Sequence, residues 1–152
     1  GYHALNSLRL EKGFRHWGHD ITIEETPLDA DLMHAVKLEK PAGFIGRDAL
    51  VVQQTQDRTR VLMQFLLDDA NEMLFHNEPI WRAGTLVGYI TSGMFGHTLG
   101  AAVGLGYVDI QPGQGLESVT SGKYVIEIAG RKVSARASLK PMDDAEHINL
   151  RS

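Results

Sequence analysis

"EPIWRAGTLVGYITSG", residues 78–93, consists of two extended runs joined at Ala83-Gly84. An x-Gly pair between such runs marks a two-residue β-hairpin, because the turn needs positive φ, which glycine adopts without a steric penalty. "KYVIEIAGRKVSARASL" (123–139) is built the same way around Ala129-Gly130. "RVLMQFLLD" (60–68) alternates, with Val61, Met63, Phe65 and Leu67 on one face. Between the hairpins, "GHTLGAAVGLGYV" (96–108) carries four glycines, which predicts a strand passing close to other backbone. The C-terminal half therefore reads as a small antiparallel barrel or sandwich. No internal repeat covers the chain.

Upstream the texture differs. "YHALNSLRLEKG" (2–13) predicts a helix with Ala4, Leu5, Leu8 and Lys12 on one stripe and Gly13 just after its C-cap. "FRHWGHDI" (14–21) lacks helical periodicity and reads as extended or looped. Thr26-Pro27 predicts the start of a short helical turn, an N-cap followed by proline at the first position. "LMHAVKLEK" (32–40) alternates and predicts a strand over 32–38, whereas "FIGRDALVVQQ" (44–54) predicts a glycine-led helix. The polar run "QQTQDRTR" (53–60) is the candidate boundary. The leading third is thus an α+β segment, and the rest an all-β barrel. One strand and two short helices cannot bury their apolar faces alone. Together with an opening Gly1, this leads us to expect the tail of something larger.

Bulk composition narrows the function. A chain of 152 residues suits one compact domain, or a small domain plus part of another. No run approaches the roughly 18 apolar residues of a membrane helix, and no secretory signal opens the chain. The absence of cysteine removes disulfides, thiolate zinc sites, iron–sulfur ligation and cysteine nucleophiles. A net charge of −4 gives no global attraction for nucleic acid or anionic lipid, although a local basic cluster can still hold an anionic small molecule.

Four constellations invite chemistry. His16, His19 and Asp20 offer metal-ligand types, but no second pair at ligand spacing accompanies them, so a polar loop is the plainer reading. "GAAVGLG" (100–106) lacks the strand–turn–helix order of a dinucleotide fingerprint. Ser92, His97 and Asp109 match a hydrolase triad in composition only, without a nucleophile elbow. Arg9, Lys12, Arg15 and Trp17 remain. Cations at a helix C-terminus are stabilised by its dipole without any ligand, which is the favoured explanation on the residues alone. The alternative is that Arg15 and Trp17 face a flat anionic ligand, the guanidinium pairing with carboxylate and the indole stacking.

Longer motifs shift that balance. "ALNSLRLEKGFRHWGHDITIEETPLDADL" (4–32) followed by "FIGRDAL" (44–50) resembles the glycine-cleavage T-protein (aminomethyltransferase) family, nearest to the folate-binding C-terminal half of dimethylglycine and sarcosine dehydrogenases or oxidases. "NEPIWRAGTLVGYITSGMFGHTLGAAVGLGYV" (77–108) and "YVIEIAGRKVSARASLKPM" (124–142) are similar to that family's C-terminal barrel. The resemblance implies that 1–50 end a folate-binding domain, 58–142 form the barrel domain and 143–152 are a tail. In such enzymes a flavin domain oxidises an N-methyl amine to an iminium, and the T-protein-like half passes the one-carbon unit to tetrahydrofolate. The implied cofactors are tetrahydrofolate and, in an upstream domain, FAD. The implied partners are upstream flavin and folate-binding domains of one polypeptide and a small methylated amine, with no nucleic acid and no membrane. Arg9, Arg15 and Trp17 are the implied cofactor-binding residues; no catalytic or metal role is assigned, because the family's carboxylates would lie before Gly1. The implied setting is bacterial cytoplasm or mitochondrial matrix, and the chain alone is expected to be inactive.

Departures from the family pattern matter. The T-protein proper carries an arginine where this chain has Leu5, which favours the amine-oxidising branch. A branch that depends on a reactive cysteine is excluded, since there is none. "PMDDA" (141–145) does not keep the family's ending, so no site residue is taken from it. A glycine-cleavage-type aminomethyltransferase, another one-carbon reaction such as sulfonium demethylation, and a non-catalytic structural barrel stay as alternatives.

Overall fold

The computed structural model describes residues 1–143, so all but the first residue of the expected tail at 143–152 lies outside the described residues. Six strands form one closed antiparallel barrel: β1 Arg60–Leu67, β2 Pro79–Arg82, β3 Thr85–Gly96, β4 Ala101–Asp109, β5 Tyr124–Ile128 and β6 Arg131–Ser138. Their order around it is β1-β4-β3-β2-β5-β6, and β1 pairs with β6 to close the ring. Both expected hairpins are present, with Ala83-Gly84 and Ala129-Gly130 all at positive φ. Val61, Met63, Phe65 and Leu67 fill the interior with Ile80, Ile90, Val108 and Ile126, as the alternation predicts.

β1 is apolar on both faces for a physical reason. Its outward residues Leu62 and Leu66 join Leu10, Ala101, Val103 and Leu105 in a second cluster, which lies beneath α1 (Tyr2–Glu11). The glycines of β4 permit tight approach: an ideal Cβ at Gly106 would lie 2.7 Å from both Ile80 Cδ1 and Tyr89 O.

The leading segment needs two corrections. α1 ends as predicted, with Lys12 as C-cap and Gly13 at φ +68°. However, its buried face is Ser7, Leu10 and Glu11, while Leu5 and Leu8 of the expected stripe are 59% and 63% exposed. Residues 32–38 do not form a strand. Met33–Ala35 is a single 3₁₀ turn, held by Ala35 N–H to Leu32 O (3.0 Å) and Val36 N–H to Met33 O (3.1 Å). A strand needs a neighbouring edge, and a closed barrel offers none. The leading segment is thus a short helical segment ahead of the barrel, with an isolated β-bridge between Trp17 and Ile21 in place of a strand at 32–38.

Thr26-Pro27 does open a hydrogen-bonded turn. The Asp29 N–H donates to Thr26 Oγ1 (3.3 Å), and the Thr26 N–H donates back to Asp29 Oδ2 (3.1 Å). The glycine-led helix is present as α2 (Arg47–Gln54), with Gly46 at its N-cap. A short α3 (Leu116–Thr120) precedes β5. No helix among the described residues is long and apolar enough to cross a membrane.

Candidate functional site

Two buried carboxylates join the leading segment to the barrel. Asp20 is fully buried. Its Oδ2 accepts from Arg9 Nη1 (2.5 Å) and the His16 N–H (2.8 Å), and its Oδ1 accepts from Thr91 Oγ1 (2.5 Å) and Ser92 Oγ (2.6 Å) of β3. The Tyr107 hydroxyl of β4 donates to Asp20 O at 2.9 Å, and burial pushes that phenol's pKa upward. Glu11 is the second anchor. Its Oε1 accepts from the N–H groups of Thr98 (2.6 Å) and Leu99 (3.1 Å) in the β3–β4 turn.

These bonds show where the residues of the other constellations are engaged. Asp20 has both oxygens engaged, the His16 and His19 rings stack on each other with centroids 4.8 Å apart, and no metal-holding cluster occurs among the described residues. Ser92 donates to Asp20, whereas His97 packs its ring against Phe95, so the triad composition corresponds to no constellation. Gly104 and Gly106 pack within the barrel wall rather than opening a helix.

A cleft of about 400 Å3 lies where the loop after α1 meets residues 31–34 and the chain leaving β6. Lys12, Phe14, Arg15, Asp31, His34 and Lys140 are among the residues that line it. Arg15 is its most informative member. Its Nε donates to Ala30 O (3.2 Å) and its Nη1 to Gly13 O (2.9 Å), both carbonyls, and it makes no ion pair among the described residues. Burial lowers its pKa from the ordinary guanidinium value; the charges of Asp31, Tyr107 and Asp20 oppose that. A guanidinium stays protonated in proteins, so this desolvated cation favours an incoming anion. Phe14, Ile21 and Leu32 add apolar wall, and the size falls within the about 300–1,000 Å3 of small-ligand sites.

The three residues singled out from sequence are not brought together. Arg15 lines this cleft. Arg9 is committed to Asp20 and borders a separate hollow of about 220 Å3 with His16, His19 and Phe75. Trp17 is 67% exposed and does not line this cleft. Sequence reasoning missed Glu11, Gln64 and Lys140. Two of them carried a signal: Glu11 is an acid at a helix C-terminus, where the dipole disfavours it, and Gln64 interrupts the apolar run "VLMQFLL".

Sequence comparison agrees with this architecture. Residues 60–144 match the family model described as the glycine cleavage T-protein C-terminal barrel domain, and residues 1–40 match the GCVT N-terminal domain. The chain belongs to the glycine cleavage T-protein family. It is 39% identical, over 99% of its length and 18% of the relative's, to a 4-methylaminobutanoate oxidase (formaldehyde-forming) from Paenarthrobacter nicotinovorans. It is 38% identical to the mitochondrial sarcosine dehydrogenase of Homo sapiens, covering 94% of the chain and 16% of the relative. A mitochondrial pyruvate dehydrogenase phosphatase regulatory subunit from Mus musculus is 41% identical over 93% of the chain and 17% of the relative. The chain thus spans less than a fifth of each of these relatives. Among solved structures, the glycine cleavage system aminomethyltransferase T from Bartonella henselae matches with a TM-score of 0.76 and 29% identity, covering 90% of this chain and 37% of that one.

Proposed function

We propose that the chain is the C-terminal part of a flavin-linked N-methyl amine dehydrogenase or oxidase of the dimethylglycine/sarcosine type, and that its cleft forms one wall of a tetrahydrofolate site. The observation that carries this reading is Arg15, half-buried, hydrogen-bonded among the described residues to two carbonyls and to no carboxylate, and facing a cleft with an apolar wall. That donor set suits folate, which joins a flat ring system to glutamate carboxylates. Bound there, tetrahydrofolate supplies the nitrogen that accepts the one-carbon unit. The chain's own residues bind and shelter: Arg15 pairs with a carboxylate, while Phe14, Ile21 and Leu32 exclude water. Arg9 acts indirectly, by holding Asp20 and with it the loop that carries Arg15. Trp17 stacks on the ligand only if a neighbouring domain folds over that face.

In this reading residues 1–50 complete a folate-binding domain whose earlier part covers the outer face of α1, residues 58–142 are the barrel domain, and 143–152 are a tail. Exposed Tyr2, Leu5 and Leu8, together with the short span of relatives matched, support that partner. FAD belongs to a further upstream domain, since no nucleotide-binding motif stands in these residues. The relatives' names include mitochondrial and bacterial proteins, which supports a mitochondrial matrix or bacterial cytoplasmic setting.

The test uses the polypeptide that includes the flavin and folate-binding domains. Arg15→Gln is expected to weaken tetrahydrofolate binding about tenfold or more, as for loss of a charge-assisted pair, and to divert the carbon to free formaldehyde with amine oxidation unchanged. The 152-residue chain alone is expected to oxidise neither sarcosine nor dimethylglycine, and measurable turnover would overturn that part of the reading. A second reading, a non-catalytic barrel, draws on the relative named as a phosphatase regulatory subunit. Unchanged folate affinity in Arg15→Gln would favour it.

A further inference from the structure

After β6 ends at Ser138, residues 139–143 run back across the C-terminal end of α1 as a strap without regular structure. Leu139, Lys140 and Pro141 form one side of the cleft that Arg15 lines. This strap makes no backbone ladder, so something else must hold it in place.

The holding group is Gln64. It lies on β1 opposite Ser138, where the strap departs, and is 2% exposed. Its Nε2 donates to Leu10 O (2.6 Å) and Glu11 O (3.2 Å), carbonyls in the last turn of α1, of which Leu10 O also accepts the Gly13 N–H at 3.0 Å. Its Oε1 accepts the Met142 N–H at 2.6 Å. The amide orientation is dictated, because the flipped group would set oxygen against two carbonyls and NH₂ against an N–H. Three further contacts meet the same strap. Pro141 packs on Gly13, where an ideal Cβ would come within 3.0 Å of Pro141 Cγ. Lys12 Nζ pairs with Asp143 Oδ2 at 2.7 Å, and Met142 packs against the cluster beneath α1. A void of about 10 Å3 is bordered by both Gln64 and Arg15, together with Gly13 and Pro141.

We infer that Gln64 is a positioning residue: one buried amide ties the strap to α1 and so sets the separation of the Arg15 and Lys140 walls of the cleft. The clamp itself follows from the bonds above; its effect on a ligand rests on the folate reading. Neither the charge pattern nor the family motifs single out this residue.

Two variants cut the same bond from opposite sides. Gln64→Met removes the amide at similar length, and Met142→Pro removes the donated N–H while leaving Gln64 intact. Met142→Leu, which keeps the N–H and an apolar side chain, is the control. In the 152-residue chain, Gln64→Met is expected to speed exchange of the Met142 amide about tenfold, the scale of one lost buried hydrogen bond, with amides of the barrel interior unchanged. Unchanged Met142 exchange would overturn the clamp. If Gln64→Met does not fold, Met142→Pro decides the same point through the Lys140 amide, which donates to Ser138 Oγ (3.2 Å) within the strap. Its exchange should speed up in Met142→Pro and keep its wild-type rate in Met142→Leu, and an unchanged rate in Met142→Pro would overturn the clamp.

Tetrahydrofolate affinity in the longer polypeptide then separates the two claims. A several-fold loss in Gln64→Met and Met142→Pro, absent in Met142→Leu, supports positioning. Loss in Arg15→Gln but none in the clamp variants overturns positioning and leaves the folate reading standing. If Arg15→Gln has no effect, the folate reading fails, and the exchange measurements alone decide the clamp.

Discussion

Asp20→Asn is expected to destabilise the chain by about 3–5 kcal/mol, read as a lower midpoint in chemical denaturation. The carboxylate is fully buried and receives four donors, one of them the guanidinium of Arg9, whose side chain is only 12% exposed. Asparagine keeps the shape but removes the countercharge of Arg9. Its one oxygen can serve Arg9 and the His16 N–H only if the NH₂ faces the Thr91 and Ser92 hydroxyls, which must then rotate from donating to accepting. Removing one partner of a buried pair costs more than the pair was worth, since the survivor keeps its desolvation penalty. Arg9→Met added to Asp20→Asn should therefore recover part of the loss, a coupling that a double-mutant cycle measures. A single-variant shift below about 1 kcal/mol, the range of an exposed ion pair, would show that this junction is wetter than its geometry implies.

Gly88→Ala is the second large effect. An ideal Cβ at Gly88 would lie 1.9 Å from Tyr107 O and 2.9 Å from Tyr107 C, both backbone atoms of β4. Neither atom can rotate away as a side chain would, so β3 and β4 must separate where Gly88 pairs with Val108. We expect a loss at or above the upper end of the about 1–3 kcal/mol typical of overpacked cores, measured by denaturation or by the soluble fraction on expression. Gly115→Ala is the control: φ is −75° and nothing lies within 4 Å of the added carbon, so its effect should not exceed the about 1 kcal/mol of a poorer N-cap on α3.

The barrel was legible because its information is local. Each hairpin announces itself within a few residues: alternation on either side, and Ala-Gly at the only positions with positive φ inside the run. The glycines of β4 likewise revealed close backbone approach without revealing to what. The leading segment was harder because its partners are remote. Glu11 meets Thr98 and Leu99, and Asp20 meets Thr91 and Ser92, pairings that no periodicity encodes. Alternation at 32–38 misled for a related reason: period two is necessary for a half-buried strand, but a ladder partner makes it one, and the closed ring leaves none. At the site, Arg15 stood out by charge and neighbourhood. Lys140 did not, because it reaches the cleft only through a strap whose course depends on one glutamine in β1.

The ring of six strands also limits how this molecule can meet others. With each of the six strands hydrogen-bonded to a neighbour on both sides, the ring leaves no whole strand edge open to main-chain pairing among the described residues. Recognition has to be written in side chains, chiefly those on the outer surface of α1 and in the turns around it. Point substitution can therefore retune what docks there, largely independently of the scaffold that carries it.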